Sequence, residues 1–442
     1  MDNSLTTLRM KCNTKIKINF DGGDLSSDAG LLPFKEFLSK IGADKLIKHT
    51  FKTNDSAKYR PHNDGDNLLQ VVYQIISAYF EDDCADELTN DPVMTAVLGK
   101  KALASQPTLS RFYNRMDTDT MSQFNGIMRA LRKTIYSINK PEHILFDIDT
   151  TLFATYGRQE GEGFNYHYQA HGYHPLLCFD GLTGDLLKAE LREGAKYCSN
   201  GAADFMRSLL AEYSSDYPEI PLFLRGDSGF ASPDLYEILE KYDCKYAIRL
   251  KENSTLRGFV AKADEALFNE TKLNQIDYAV KYGEFKYQAG SWSHPRRVVF
   301  KIEKPQGQMT HTYTFVVTTT ELEPSQVIMF YCQRGSVESF IKEAKCGSDF
   351  ASTSSKSMIV NANRLQVHVL AYNLFNWFKR LVLPEKMRKQ QIDTIRLKLI
   401  KIATRVVKSG RYIIFKLCSS CPYKKEFYET MENIHRLQPQ LE

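Results

Sequence analysis

The stretch YCQRGSVESFIKEAK, residues 331–345, carries the pattern from which the fold of the whole chain can be predicted. On a helix that turns by about 100° per residue, steps of three, seven and fourteen residues return to the same side. Four polar side chains therefore share one face: Tyr331, Arg334, Glu338 and Lys345. The neighbouring apolar sector can pack on a sheet and contains Val337, Phe340, Ile341 and Ala344. An ordinary amphipathic helix with an Arg334–Glu338 ion pair would show the same pattern. Other parts of the chain are therefore needed to distinguish a functional polar face from an ordinary one.

Upstream of this stretch, two acidic positions lie at the ends of predicted strands. ILFDID, residues 144–149, alternates its apolar face with a face that carries Asp147 and Asp149. IPLFLRGDSGF ends a buried strand just before Asp227. Two like charges on one strand face are costly unless a cation or a partner neutralises them, although an exposed strand edge is the other explanation. Because ligand sites of α/β sheets lie at strand ends, we expect a functional site here, with either Asp147 or Asp149 in it.

The periodicity between residues 141 and 250 predicts an α/β layer with a mixed sheet. The strand ILFDID is followed by a hairpin over residues 174–192 and a helix over 201–213. A further strand, a helix from Ser232 and a last strand, YAIRL, come next. Residues 251–330 then favour one helix and antiparallel strands, an all-β insertion of roughly 80 residues.

The N-terminal region is predicted to be mainly helical, with one long helix over residues 67–88. In SQPTLSRFYNRM, Ser105 is a candidate N-cap and Arg111 and Arg115 lie one helical turn apart. This arrangement suits a DNA-recognition helix and equally a plain member of a helical bundle.

Charge is concentrated at the C-terminal end. The net charge of the chain is +5, but residues 331–442 hold 20 Lys and Arg against 9 Asp and Glu, which leaves −6 for residues 1–330. A long apolar helix over residues 363–383 precedes a predicted basic helix over residues 385–407. This region is a candidate polyanion-binding surface, or a solvated helical face.

Composition places the chain among globular proteins of two or three domains, with 43% hydrophobic residues. Its nine scattered cysteines fit a reducing compartment. The apolar runs are too short for a membrane span, and the N-terminus lacks the apolar core of a signal peptide. We expect a cytoplasmic protein.

Asp149, Asp227 and Glu338 lie on three elements that an α/β fold can bring together. Three carboxylates without histidine or thiolate form a hard oxygen ligand set that suits Mg²⁺ or Mn²⁺. Two such ions can hold the attacking and leaving oxygens of a phosphoryl transfer. Arg334 and Lys345 would then bind phosphates close by.

The same residues match the motifs of a known family. Asp149-Thr150-Thr151 fits D-x-T, RGDSGF fits the second-Asp motif, and the opening stretch fits Y-x2-R-x3-E-x6-K at every position. The chain therefore resembles a DDE transposase of a bacterial insertion sequence, in the YREK-signature group. Thr151 favours Asp149 over Asp147 as the first acid. The segments that resemble the insertion-sequence family called "thirteen-eighty" are DGGDLSSDAG, ADELTNDPVM, ASQPTLSRF, GYHPLL and DTIRLKLIKIATRVV.

The resemblance implies a ribonuclease-H-like core that the β insertion interrupts. The regions are then 1–140, mainly helical and binding DNA ends; 141–250, the first part of the core; 251–330, the insertion; 331–383, the second part with the Glu-bearing helix; and 384–442, basic and helical.

The resemblance also implies metal-dependent cleavage at the inverted-repeat ends of an element. The freed 3′-hydroxyl would then attack target DNA, within a homodimer or higher assembly. Asp149, Asp227 and Glu338 would bind Mg²⁺ or Mn²⁺, while Tyr331, Arg334 and Lys345 would contact DNA. A stand-alone metal-dependent nuclease and a domesticated DNA-binding protein are the competing hypotheses.

Related transposases hold a flipped base with an aromatic residue of the insertion. Trp292, in the loop QAGSWSHPRR, is the candidate by position, whereas Trp377 lies in an apolar helix. An exposed hairpin aromatic without function is the alternative for Trp292.

Overall fold

A computed structural model describes residues 7–57, 59–308 and 310–441 of the chain. The chain divides into two compact units. One unit contains residues 140–344 and 351–365, and the other contains the chain up to Asn139, residues 345–350 and the chain from Gln366 onward. Over the described residues, no helix has both the length and the apolar character that a membrane span needs.

The N-terminal part of the chain is mainly helical. Its short strands are β1 (Leu8–Arg9), β2 (Lys17–Ile18) and β3 (Leu25–Ser26). Its helices are α1 (Leu31–Lys40), α2 (Ala43–Thr50), α3 (Asp64–Ile76), α4 (Cys84–Glu87), α5 (Pro92–Leu98), α6 (Gln106–Asn114) and α7 (Thr118–Ile138). The single helix predicted over residues 67–88 is wrong, because α3 ends at Ile76 and the chain turns at Ala78, whose φ is 62°.

The unit that contains residues 140–344 and 351–365 is built on one large mixed sheet. Its chain contains β4 (Ile144–Thr150), β5 (Phe153–Ala154), β6 (Gly163–Asn165), β7 (Ala170–Tyr173), β8 (Leu176–Asp180), β9 (Leu186–Glu190), β10 (Leu222–Gly226), β11 (Lys245–Leu250), β12 (Ala279–Tyr287), β13 (Arg296–Lys304) and β14 (Thr312–Thr318). The strand order in the eight-stranded sheet is β12-β13-β14-β11-β10-β4-β8-β9. The central strand β4 pairs in parallel with β10 and antiparallel with β8, while β5, β7 and β6 form a small separate sheet.

The three strands of the expected insertion do not form a sheet of their own. Antiparallel pairing of β14 with β11 makes them a continuation of the main sheet. The Thr318 hydroxyl donates to the carbonyl of Tyr246 at 2.7 Å, and Val316 and Val317 are fully buried. Pairing satisfies the backbone groups that an exposed β11 edge would leave open.

The helices that accompany this sheet in sequence are α8 (Ala202–Asp216), α9 (Pro233–Lys241), α10 (Ser254–Leu273), α11 (Pro324–Cys332) and α12 (Ser336–Ser348). The stretch YCQRGSVESFIKEAK, residues 331–345, is therefore not one uninterrupted helix. A single 3₁₀ turn, Gln333–Gly335, separates α11 from α12. Gly335 favours this interruption, because glycine is among the weakest helix formers.

The C-terminal part of the chain contains α13 (Met358–Val382), α14 (Glu385–Arg388), α15 (Ile392–Ile395), β15 (Thr404–Ser409), β16 (Tyr412–Leu417) and α16 (Lys424–Arg436). The basic helix predicted over residues 385–407 is wrong. Two runs rich in β-branched and aromatic residues, TRVVKS and YIIFKL, flank a Gly-Arg turn and form an antiparallel hairpin. β15 also pairs with β3, which joins the two ends of the chain within one unit.

Aromatic side chains fill the core of that unit. The rings of Phe34 and Phe37 lie 5.4 and 5.6 Å from the ring of Phe378 on α13, and Trp377 is 1% exposed. This placement of Trp377 agrees with the expectation of a core residue.

Candidate active site

A cleft of about 670 Å³ opens at the end of the central strand β4. Asp149, Asp227 and Glu338 all line it, together with Arg334. The three acids thus come from β4, from the end of β10 and from α12. Parallel pairing of β4 with β10 places the ends of these two strands side by side, which is where α/β sheets form their sites.

The two acids of β4 have different surroundings. Asp147 is fully buried, and both of its carboxylate oxygens accept hydrogen bonds from Arg225, at 2.7 Å from Nε and 2.6 Å from Nη2. Arg225 Nη1 also donates to the carbonyl of Phe330 at 2.9 Å. Asp147 thus holds a buried arginine between the sheet and α11. Asp149, two residues further on, faces the cleft.

Asp227 follows β10 and begins the short 3₁₀ turn Ser228–Phe230. Its carboxylate accepts a hydrogen bond from the backbone N–H of Gly229 at 2.9 Å. This contact orients one oxygen, and the residue stays partly exposed to the cleft. The motif RGDSGF therefore uses its Arg for the sheet interior and its Asp for the cleft.

Arg334 and Glu338 do not form the ion pair that the helix pattern allowed. Arg334 is 9% exposed, and its Nη2 lies 3.0 Å from Oδ2 of Asp149. Among the described residues its Nε has no hydrogen-bond partner. Glu338 is exposed and faces the cleft from the first turn of α12. The buried arginine is thus directed at β4, and the glutamate remains accessible.

Tyr331 and Lys345 lie outside the group of residues that line the cleft. Tyr331 is half-buried against the apolar cluster that contains Ala247, Val299 and Val316, and burial raises its pKa. Lys345 is half-buried near the end of α12, and burial lowers its pKa. The structure divides the expected four-residue face, with Arg334 and Glu338 at the cleft.

Burial raises the pKa of Asp149 to about 6, and the nearby Asp227 and Glu338 act in the same direction against the opposing effect of Arg334. An anionic carboxylate in this position is stabilised by an added cation. The donor set, three carboxylates around one cleft, is the oxygen chemistry that Mg²⁺ prefers. Within the described part of the chain, no three such side chains lie at the spacing of a single metal site. The chemistry of the residues therefore fits a divalent ion, and ligation requires their closer approach.

Trp292 does not have the exposed position that was expected for a base-holding residue. It lies in the loop between β12 and β13 but is only 8% exposed. Its ring packs edge-on against Tyr236 and Tyr287 at 5.4 and 5.3 Å, and the Arg296 guanidinium lies 5.5 Å from it. In this conformation, burial leaves little of the ring accessible for stacking on a base.

Arg111 of α6 and Arg115, which follows the end of α6, differ in exposure and in their partners. Arg111 is exposed, and its only described contact is a long hydrogen bond to Thr108, at 3.4 Å. Arg115 is tied by ion pairs to Asp55 and Asp64 at 3.2 Å each. Arg111 is therefore available to a partner, and Arg115 stabilises the fold of its own unit.

An aromatic wall on one side of the cleft was not anticipated. Its side chains come from the small sheet and its turn: Phe164, Tyr166, His167 and Tyr168. Asn165 holds the turn by accepting from the backbone N–H groups of His167 and Tyr168, and Tyr166 is left 81% exposed. The aromatic-rich sequence GFNYHYQAHGY was the available signal.

Tyr168 connects this wall to the strand that bears Asp149. Burial raises the pKa of Tyr168 to about 12, so the hydroxyl remains protonated at neutral pH. It donates to the carbonyl of Thr150 at 3.4 Å. The wall is thus positioned from the end of β4.

Comparison with known proteins gives one match to a family. The sequence profile described as "Transposase DDE domain group 1" matches residues 8–439. None of the curated proteins matches the chain significantly. Among solved structures, a cryo-EM structure of a piggyBac transposase synaptic complex with hairpin DNA is similar over 85% of this chain and 80% of that chain, with 14% identity and a TM-score of 0.44.

Proposed function

Because the chain belongs to the family of transposase DDE domains, group 1, we propose that it is a DNA transposase of a bacterial insertion sequence in the YREK group. It would cleave DNA at the inverted-repeat ends of its element and join the 3′ ends to target DNA. The observation that carries this proposal is the cleft that Asp149, Asp227 and Glu338 all line.

In this proposal the three carboxylates hold Mg²⁺ or Mn²⁺, with two ions bound. When bound, the ions would stabilise negative charge on the reacting phosphate and favour deprotonation of the attacking hydroxyl. Asp149 and Asp227 contribute from neighbouring strand ends, which are rigid. Glu338 contributes from an exposed helical position, which allows its side chain to move toward them.

The reaction consists of two phosphoryl transfers. In the first, a water oxygen attacks the phosphorus at the element end and gives up a proton to the solvent, while the bond from phosphorus to the 3′ oxygen breaks and the 3′ oxygen takes up a proton. In the second, this 3′-hydroxyl attacks a phosphorus of target DNA, loses its proton and displaces the 3′ oxygen of the target strand. The number of phosphodiester bonds is unchanged in the second step, so no external energy source is needed.

Arg334 is proposed to bind a DNA phosphate at the cleft, since its guanidinium lies beside Asp149 and has an unsatisfied Nε. Tyr331 and Lys345 are proposed to contact the same DNA end, and Arg111 a more distant part of it. Tyr166 is proposed to stack on an unpaired base near the cleaved bond, a role that the buried Trp292 cannot fill in this conformation.

The sheet supports a ribonuclease-H-like core, because the meander β4-β8-β9 continues into the parallel strands β10 and β11. We propose the first and second parts of the core at residues 141–250 and 331–383, with the insertion between them. Residues 1–140 and 384–442 would bind DNA, and a homodimer or higher assembly would bring two element ends together.

The proposal is tested with purified full-length chain and DNA that carries both flanks of the coding sequence. Asp227→Ala or Glu338→Ala should abolish Mg²⁺-dependent cleavage and strand joining while binding of the DNA remains largely intact. Glu265→Ala, an exposed acid on α10, is the matched control and should cleave normally. Cleavage that persists in both cleft variants would rule out the assigned site.

Two other functions are distinguished by the same assay. A stand-alone nuclease would cleave DNA without preference for the flanks and would join no strands. A domesticated DNA-binding protein would bind DNA but neither cleave nor join it.

A further inference from the structure

The hairpin β15–β16 has an unusual charge distribution. No acidic residue occurs between Asp393 and Glu426, whereas the hairpin itself carries Arg405, Lys408, Arg411 and Lys416. All four cations are exposed. Among the described residues, none of the four takes part in an ion pair, although ion pairs are frequent elsewhere in the chain. The hairpin therefore presents uncompensated positive charge to its surroundings.

The strand register increases this effect. Arg405 lies directly opposite Lys416, and Lys408 lies opposite Ile413. Like charges at directly opposed positions destabilise a hairpin unless an anion lies between or above them. A hairpin whose only role was to complete the fold would be more stable with an acid at one of these positions.

The outer part of the hairpin is not covered by the rest of its unit. Residues 408–414 are all exposed, and they include Tyr412 at 75% and Ile413 at 54%. Only the base is buried, where Thr404 and Val406 lie beside the attachment to β3. The hairpin is thus anchored at one end, with a free tip that is both basic and apolar.

We propose that this hairpin is a DNA-contacting ribbon that enters the major groove of duplex DNA. A two-stranded ribbon fits the major groove, which is about 12 Å wide. Lys408, Arg411 and Lys416 bind phosphates along its walls, while the side chains at the tip contact base edges. The partner chemistry rests on the proposed function, since that function supplies DNA as the substrate, but the ribbon acts independently of the cleft carboxylates.

The test measures how binding of the full-length chain to a DNA duplex depends on salt. The duplex carries one flank of the coding sequence, and the variant is Lys408→Ser, Arg411→Ser and Lys416→Ser combined. The slope of log K against log salt is negative, and each lost phosphate contact makes it less steep by about 0.9. The slope of the combined variant should therefore be less steep than that of the wild type by about 3. A control that removes three exposed lysines outside the proposed DNA-binding regions, Lys241→Ser, Lys262→Ser and Lys272→Ser, should keep the wild-type slope.

Several results would overturn the proposal. One is an unchanged slope in the hairpin variant; another is an equal loss in the control. A third is unchanged DNA binding together with lost binding to vesicles that contain phosphatidylserine, which would identify an anionic membrane as the partner. Thermal unfolding of both variants shows whether a loss of binding comes from unfolding, and Tyr412→Ala, which keeps the charge, should weaken binding without changing the slope.

The test of the hairpin and the test of the proposed function can fail independently of each other. If Asp227→Ala and Glu338→Ala both still cleave, the cleft assignment fails, and the effect of the hairpin variant on the slope is unaffected. If Asp227→Ala abolishes cleavage and the hairpin slope is unchanged, the transposase assignment stands and the ribbon proposal fails.

Discussion

Two carboxylate–arginine pairs on one strand show how burial divides structural from chemical roles. Asp147 and Asp149 point from the same face of β4, and each is paired with an arginine. The Asp147–Arg225 pair is bidentate and fully buried, with side chains 0% and 1% exposed. The Asp149–Arg334 pair has one close contact and lies at the cleft. A saturated pair can only hold the fold together, whereas an unsaturated one can exchange its partner for a ligand.

The largest expected effect comes from a change in the pair at the cleft, Asp149 and Arg334. Asp149→Asn should reduce DNA cleavage by about 10⁴-fold or more, which corresponds to about 5 kcal/mol in the activation barrier, because a ligand of the proposed ions is lost. Single-turnover cleavage of DNA that carries the flanks measures this. Cleavage within tenfold of wild type would remove Asp149 from the site.

The next largest effect is on stability and comes from a change in the buried pair, Asp147 and Arg225. Asp147→Asn leaves Arg225 buried with an uncompensated charge and should cost about 3 kcal/mol of unfolding free energy, as measured by urea denaturation. Exchange of the whole pair, as Asp147→Leu with Arg225→Met, should cost less than the single change. A double variant that costs as much as the sum of Asp147→Leu and Arg225→Met, measured separately, would show that the pair is not energetically coupled.

A smaller effect compares the two arginines directly. Arg334→Lys should lower cleavage by about tenfold, because lysine cannot reproduce the planar contacts of a guanidinium with phosphate or carboxylate. Arg225→Lys should instead lower the urea midpoint and leave the cleavage rate of the folded protein nearly unchanged. Reversed outcomes would exchange the roles assigned to the two pairs.

The smallest expected effect is on DNA binding by Tyr166, and it tests whether the functional surface extends from Asp149 to the aromatic wall. Tyr166→Ala should weaken binding of a duplex with an unpaired overhang by about 1 kcal/mol, the lower end of the energy of base stacking on an aromatic side chain. Tyr166→Phe should bind normally, and so should Tyr156→Ala, which removes a 93% exposed tyrosine outside the cleft lining. A loss with Tyr166→Phe equal to that with alanine would indicate a hydroxyl contact rather than stacking.

Local pattern predicted most of the elements around the cleft. The strand with Asp149, the hairpin after it and the strand before Asp227 have short-range apolar periodicity, and the structure has them at these places. The basic C-terminal region was mispredicted because a run of lysine and arginine resembles a helix face, whereas the hairpin depends on pairing with β3. The structure has Trp292 in the predicted loop, but its burial could not be predicted for a related reason, since loop position alone does not reveal that Tyr236 and Tyr287 pack against it.

The sequence by itself determined the α/β class, the order of the three acids and the group of side chains that surround them, because these depend on local periodicity and on residue types at fixed spacing. It left open whether Asp147 or Asp149 is the first acid, since the two share a strand face. Only the tertiary structure gives the two carboxylates different surroundings, because it brings Arg225 from the neighbouring strand onto Asp147 and Arg334 from the turn before α12 onto Asp149. The environment of a charge depends on residues far away in sequence, and that environment distinguishes a buried ion pair from a reactive site.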